Sequence, residues 1–474
     1  MLQIDKKWVR ALGALGLAAI VGLVAGCGGG GGSSGSGGSG GTSSTGGSGS
    51  STTSSGGNTN TTSTTTGGAT GRSLVASGAV SSTPGTPAPN QVAVVVASGV
   101  AGAANIPTVT VTVCVHGGAP CQTINNIQID TGSYGLRLTS DALNSTMLGA
   151  LPMQTVGAQA VAECMGFADG NSWGSVRIAD VKIGSGETAP SMPIQVLGDI
   201  AQSQAGGSNN ACASGTLHDT STGTTGIAAN GILGIGTAKY DCGDGCQNTT
   251  ANNIYYGCTN IGGTLTGCTD LAVADTKQVA NPVQFFASGD TNGVILNMPT
   301  VGATGAQSAS GYLTFGLGTQ ANNAVPAGLQ TFQTDHFGDV QSATLDGTTY
   351  SDTTRLQRAA FFDTGSNGLF LPGTHSGLLL CTGGSGFYCP TSAVTLQPSV
   401  TGFNGTTAPL PISIENAFDL FNGGGFAFSN LGGQSGLLAV DFGMPFFYGK
   451  TVYITYDNAS TGVLNVGTIA SVAF

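Results

Sequence analysis

The chain has 474 residues and a formal net charge of −11, with 12 Lys and Arg against 23 Asp and Glu. No basic cluster breaks that balance, which argues against a nucleic-acid partner. Glutamate occurs only at Glu163, Glu187 and Glu415, whereas Val, Thr, Ile and the 81 glycines are abundant, so a β-rich fold with many turns is expected.

The first element reads as a processing signal. Lys6, Lys7 and Arg10 form a basic region ahead of the short apolar run ALGALGLAAIVGLVAG. The junction VAGC is similar to a bacterial lipobox, which implies cleavage after residue 26 and a lipid, palmitate included, on Cys27. The competing reading is an ordinary secretory signal with a chance cysteine. Gly28, rather than an aspartate, follows Cys27 and favours the outer membrane of a bacterial envelope. Which face of that membrane the protein occupies stays open.

Residues 27–72 are the lipidated cysteine and its linker. Between 28 and 71 only Gly, Ser, Thr, Asn and one Ala occur, without charge. Such a segment has nothing to bury, so a flexible tether is expected, with a reach of roughly 35–40 Å. The Gly-x-Ser-x-Gly at Gly37–Gly41 is an accident of this composition, because a nucleophile elbow needs a strand–turn–helix setting.

From about Gln91, strand-like runs alternate with turn signals. QVAVVVASG, NIPTVTVTVCVHG and TINNIQID precede a first Asp-Thr-Gly-Ser at Asp130. NSWGSVRIADVKIG has the alternation of a hairpin, and SMPIQVLGD and NGILGIG follow. Residues 237–275 are polar and cysteine-rich, as in an insertion. NGVILNMP and GYLTFGLG close the first half. The second half opens with GDVQSATLDGTTY, repeats Asp-Thr-Gly-Ser at Asp363 within RAAFFDTGSNGLFLP, and closes with GMPFFYGKTVYITYDNASTGVLNVG. The recurring order points to duplication rather than to a short solenoid period.

Lipidation of Cys27 leaves an even set of ten from the eleven cysteines, which in an exported chain points to disulfides. Short intervals favour Cys114–Cys121, Cys242–Cys246, Cys258–Cys268 and Cys381–Cys389, leaving Cys164 with Cys212, although sequence does not determine connectivity. No CxxC occurs and the four histidines are scattered, so no metal site is expected.

A lone Asp-Thr-Gly-Ser is usually a surface turn. Here both copies lie between apolar runs, IQI and LRL around the first, AAFF and LFLP around the second. Each aspartate is thereby placed in a semi-buried loop, which costs energy unless it has partners. Two carboxyls brought together share a proton, one pKa falling and the other rising. The ionised member then activates a water, and the protonated member polarises the carbonyl under attack. Gly132 and Gly365 permit close approach, Ser133 and Ser366 orient their own aspartates, and Thr131 and Thr364 tie one loop to the other.

These residues resemble the pepsin-like aspartic proteases. IDTGSYGLRL and FFDTGSNGLFLP resemble that family's two active-site loops, and NGILGIG its segment behind the first loop. GYLTFGLG is similar to the strand ending the first lobe, and PFFYGKTVYITYDNASTGVLNVG to the closing segment. The chain also resembles an uncharacterised family of bacterial lipoproteins. The protease resemblance covers roughly residues 91–474. It implies an all-β, two-lobed fold with pseudo-two-fold symmetry and a central cleft, with lobes over 73–318 and 319–474. It implies Asp130 and Asp363 as the catalytic pair, no cofactor, a monomer, and a polypeptide bound in the cleft as an added strand.

Three departures stand out. The family's flap hairpin carries a tyrosine where Phe167 falls here, and Trp173 is a second candidate to cover the cleft. Asp441 stands in VDFG, where the segment behind the second loop is ordinarily apolar. No basic prosegment precedes the domain. A silent peptide- or glycan-binding lipoprotein on the same fold therefore stands as the alternative, and a passive surface lipoprotein as a third reading that leaves the paired motifs unexplained.

Overall fold

The arrangement of strands around the two Asp-Thr-Gly-Ser loops organises the molecule. The computed structural model describes residues 76–82, 85–168, 170–207, 209–352, 358–457 and 469–474. The expected signal, Cys27 and tether over 1–72 lie outside them, as does the whole NASTGVLNVG run. The described residues are mostly β with few helices, as an all-β chain requires.

Alternation of β-branched residues builds the first hairpin from β1 (Pro107–Cys114) and β2 (Cys121–Asp130), clipped by a disulfide between its paired ends Cys114 and Cys121. The outer half of β2 is largely exposed, but its last four residues, Ile127–Asp130, are buried. The first loop turns into β3 (Tyr134–Thr139), which is buried throughout. Next come β4 (Gln159–Gly166), β5 (Asn171–Ile183) and β6 (Glu187–Leu197), an antiparallel run in which Phe167 lies in the β4–β5 turn. The strand β7 (Gly231–Ile235) then passes between β2, to which it is parallel, and β3, to which it is antiparallel. Its glycines matter here: a Cβ on Gly234 would lie 2.5 Å from the Tyr134 nitrogen.

The segment expected as an insertion folds onto this sheet. Its strands β8 (Tyr255–Ile261) and β9 (Thr264–Asp270) form a hairpin whose first strand pairs with β4. The Cys258–Cys268 disulfide joins the two strands, and Cys164–Cys212 ties β4 to a short turn. With Cys242–Cys246 and Cys381–Cys389 the described residues hold five disulfides: four are the pairs that short spacing favours, and Cys164–Cys212, 48 residues apart, is the pair left over.

The second loop repeats the local plan. It joins β10 (Ala360–Asp363) to β11 (Leu369–Leu371), and β12 (Val440–Gly443) runs parallel to β10 and antiparallel to β11. Beneath it Phe362 stacks on Phe442 with centroids 5.1 Å apart, and Phe446 and Phe474 complete the cluster. Such pairs add ~0.5–1.5 kcal/mol each beyond the area they bury. One apolar core runs from Val92 in the first half to Val472 near the end of the chain.

Candidate active site

Each loop begins where a buried strand ends, so both aspartates leave the sheet below the surface. Asp130 and Asp363 are both fully buried. Within each loop the backbone and the serine serve the aspartate in the same way. The Gly132 N–H donates to Asp130 Oδ1 at 2.8 Å and the Ser133 hydroxyl to Asp130 Oδ2 at 2.7 Å. The Gly365 N–H donates to Asp363 Oδ1 at 2.7 Å, and Ser366 Oγ lies 3.1 Å from Asp363 Oδ2.

The loops meet, 233 residues apart in sequence. The Thr131 hydroxyl donates to the Phe362 carbonyl at 2.7 Å and accepts from the Thr364 N–H at 3.0 Å. Reciprocally, the Thr364 hydroxyl donates to the Ile129 carbonyl at 2.9 Å and accepts from the Thr131 N–H at 3.1 Å. Gln128 adds a bond from its amide to the Gly365 carbonyl at 2.9 Å. This lattice presses each glycine against the opposite carboxyl. A Cβ on Gly132 would stand 2.7 Å from Asp363 Cγ, and one on Gly365 would stand 2.7 Å from Asp130 Cγ. Glycine is required at both positions by that approach.

A side-chain hydrogen bond joins the two aspartates. Burial pushes the Asp130 carboxyl up to about 7, and the negative charge of Asp363 adds to the effect. Burial acts to raise Asp363 as well, and the hydrogen bonds from Asp130 and from the Gly365 N–H act against it. The two carboxyls are thus coupled and share one proton, with Asp130 the raised member.

Phe167 is buried and lies beside the first loop, where it lines a small cavity of ≈ 10 Å³ together with Gly132, Ser133, Tyr134 and Met165. Trp173 does not reach the surface. It is wholly buried in a satellite core with Cys164, Cys212 and Tyr256, whose ring lies 5.5 Å away. Strand alternation decides this: Trp173 pairs with Cys164, and the added β8–β9 hairpin closes over that face.

Two groups beside the loops escaped sequence reasoning. Arg137 on β3 is buried and reaches Glu163 of β4 at 2.8 Å, Asp241 at 2.9 Å and the Tyr134 carbonyl at 2.6 Å. Burial, then the charge of Glu163, pushes Asp241 well above the usual carboxylate range. An arginine inside the apolar run GLRL was the available signal. The other is Asn105, which takes φ 54° and bonds the Asn367 and Phe428 carbonyls, the Phe428 N–H and the Tyr448 hydroxyl. No local pattern marks it. Among the described residues, no group of His, Cys, Asp and Glu is arranged to hold a metal.

Paired buried carboxyls on two interlocked loops can share a proton, and such a pair is chemically able to activate a water. The chain belongs to the family described as protein of unknown function DUF3443, whose profile matches residues 86–474. No curated protein gives a significant match. Among solved structures, the aspartic proteinase from Irpex lacteus is similar at 18% identity and a TM-score of 0.41, over 81% of this chain and 96% of that one.

Proposed function

We propose that this protein is an aspartic endopeptidase in which Asp130 and Asp363 activate a water to hydrolyse peptide bonds. The observation that carries the reading is the buried, hydrogen-bonded carboxyl pair with its two matched sets of N–H and hydroxyl partners. Asp363, ionised, takes a proton from the water as it attacks the peptide carbonyl. Asp130, protonated, donates to the carbonyl oxygen as negative charge develops there. The C–N bond of the tetrahedral intermediate then breaks, the proton held on Asp363 passes to the leaving amine, and a hydroxyl of the intermediate returns a proton to Asp130 as the new carbonyl forms. Ser133 and Ser366 keep each carboxyl in plane, and Thr131 and Thr364 keep the two loops at one separation.

In this reading the loops lie at the junction of two lobes, 73–318 and 319–474, and substrate enters as an extended strand over the cleft. Lipid on Cys27 anchors the domain to the bacterial envelope through the Gly/Ser/Thr tether. A chain carrying Cys27→Ser should then leave the membrane fraction. Retention of that variant in the membrane would remove the anchor from the proposal.

Phe167 in place of a flap tyrosine favours a second reading, a module that binds peptides or glycans without cleaving them. One experiment separates the two. The domain 73–474 is incubated with a mixed peptide library from pH 3 to 8, with and without pepstatin. Pepstatin-sensitive cleavage supports the endopeptidase; saturable peptide binding without cleavage at any pH supports the binding module.

A further inference from the structure

Behind the second loop stands a carboxyl for which the pairwise mechanism has no use. Asp441 lies at the centre of β12, two residues before Gly443, which pairs with Asp363. Its neighbours across the sheet are Phe361 and Phe370. It is 6% exposed, and its Oδ2 lies 2.6 Å from Ser366 Oγ. We propose that Asp441 is a third carboxyl of this site, held neutral, that acts through Ser366 to make Asp363 the ionised member of the pair. The proposal rests on the endopeptidase reading only for its kinetic consequences.

Ser366 has one hydroxyl proton and two carboxyl oxygens within reach, Asp363 Oδ2 at 3.1 Å and Asp441 Oδ2 at 2.6 Å. If Asp441 were ionised, the serine proton would turn to the nearer anion and Asp363 would lose a donor. With Asp441 neutral, the bonds run head to tail. Asp441 donates to Ser366 Oγ, and Ser366 donates to Asp363.

The other oxygen of Asp441 supports the neutral form. Oδ1 is buried and has no hydrogen-bond partner among the described residues. A buried carboxylate with a bare oxygen is far costlier than a neutral carboxyl whose carbonyl is bare. Among the described residues, no cation repays that cost. Of the elements packed on β12, β10 brings only Asp363, and β11 and the Met444–Phe447 turn bring no charge, while the first loop brings Asp130. Arg358 lies over the Phe361 ring and is bridged to Asp339, and Lys450 donates to the Phe446 carbonyl. Burial, then the charge of Asp363, accordingly pushes Asp441 well above the usual carboxylate range.

The test compares the full chain with Asp441→Asn and Asp441→Leu. Asparagine keeps the shape and a donor but has no proton to lose. Unfolding midpoints are measured from roughly pH 4 to pH 7. Above about pH 4 the unfolded chain releases the Asp441 proton and the native chain retains it, so wild-type stability falls with rising pH. The midpoint of the Asn variant should therefore gain on wild type as pH rises. A difference, Asn variant minus wild type, that stays constant or falls as pH rises overturns the neutral carboxyl whether or not the protein cleaves peptides.

The second arm uses a peptide cleaved by the wild type. Asp441→Asn should keep kcat within about threefold, whereas Asp441→Leu should lose about tenfold in kcat with KM unchanged. The acid limb of the Leu variant should also move to higher pH, because Asp363 has lost its polarised donor. Equal losses in both variants with no movement of that limb would overturn the positioning role. If the Leu variant does not fold, the pH dependence of the Asn variant decides alone. If the wild type cleaves nothing, the endopeptidase reading fails and the stability arm still judges Asp441.

Discussion

The two Asp-Thr-Gly-Ser loops share a tetrapeptide and a strand plan, yet their charged surroundings are exchanged. Seven residues after the first aspartate stands Arg137; at the same offset after the second stands Phe370. Across the sheet from Arg137 is Ile232, and across from Phe370 is Asp441. The first loop is thus backed by a cation with its own carboxylates, Glu163 and Asp241, and the second by a lone carboxyl bonded to Ser366. Identical local sequence positions two aspartates alike, and the neighbouring strands give the two loops different charged surroundings. In the proposed endopeptidase that difference would bias which carboxyl holds the shared proton.

The largest effect should come from removing either half of the pair. Asp130→Asn or Asp363→Asn should lower peptide cleavage by about 10³-fold or more, and the double variant should be no worse than either. Retention of most activity by one single variant would show that the carboxyls do not act as a unit.

Next in size is the brace of the first loop. Arg137→Ala strips a buried cation from Glu163, Asp241 and the Tyr134 carbonyl, and should cost ~3–5 kcal/mol in urea unfolding. Phe370→Ala at the matching position removes packing alone, and a half-buried ring should cost less than that. Equal losses at the two positions would erase the contrast between the loops.

The close approach of the loops is tested by Gly132→Ala and Gly365→Ala. Each methyl would meet the opposite carboxyl at 2.7 Å, so the pair must part and cleavage should fall by about 10²-fold. Thr131→Val and Thr364→Val each leave a buried N–H and a buried carbonyl without their hydroxyl partner, at ~1–3 kcal/mol apiece. Because the four bonds form one lattice, the double Thr variant should cost less than the sum of the singles.

The smallest effect is a slope. Asp130 is raised to about 7 in the fold, so it keeps a proton that the unfolded chain has already released. Its contribution to stability therefore falls as pH rises from roughly 4 towards 7. Asp130→Asn should flatten that part of the pH–stability curve. Cleavage should decline over the upper part of the same range, as the shared proton is lost.

Much of the site was legible because it is local. Asp-Thr-Gly-Ser between apolar runs specifies a strand, a tight loop with a serine folded back on its aspartate, and a second strand. The disulfides were legible for the same reason, since short loops leave few partners. The flap was half legible. Counting residues placed Phe167 beside the loop, but Trp173 faced a core that exists only because residues 255–270 return to pair with β4.

By itself, then, the sequence determined the β-rich architecture, the paired loops and the residues that could share a proton. Hydropathy alternation and glycine placement act over a few residues and need no distant partner. Only the tertiary structure decided that burial raises Asp130, that Arg137 stands behind one loop, and that Asp441 stands behind the other. Burial and charge neighbours set those properties. Strands more than a hundred residues away supply several of them, and no local pattern encodes that distance.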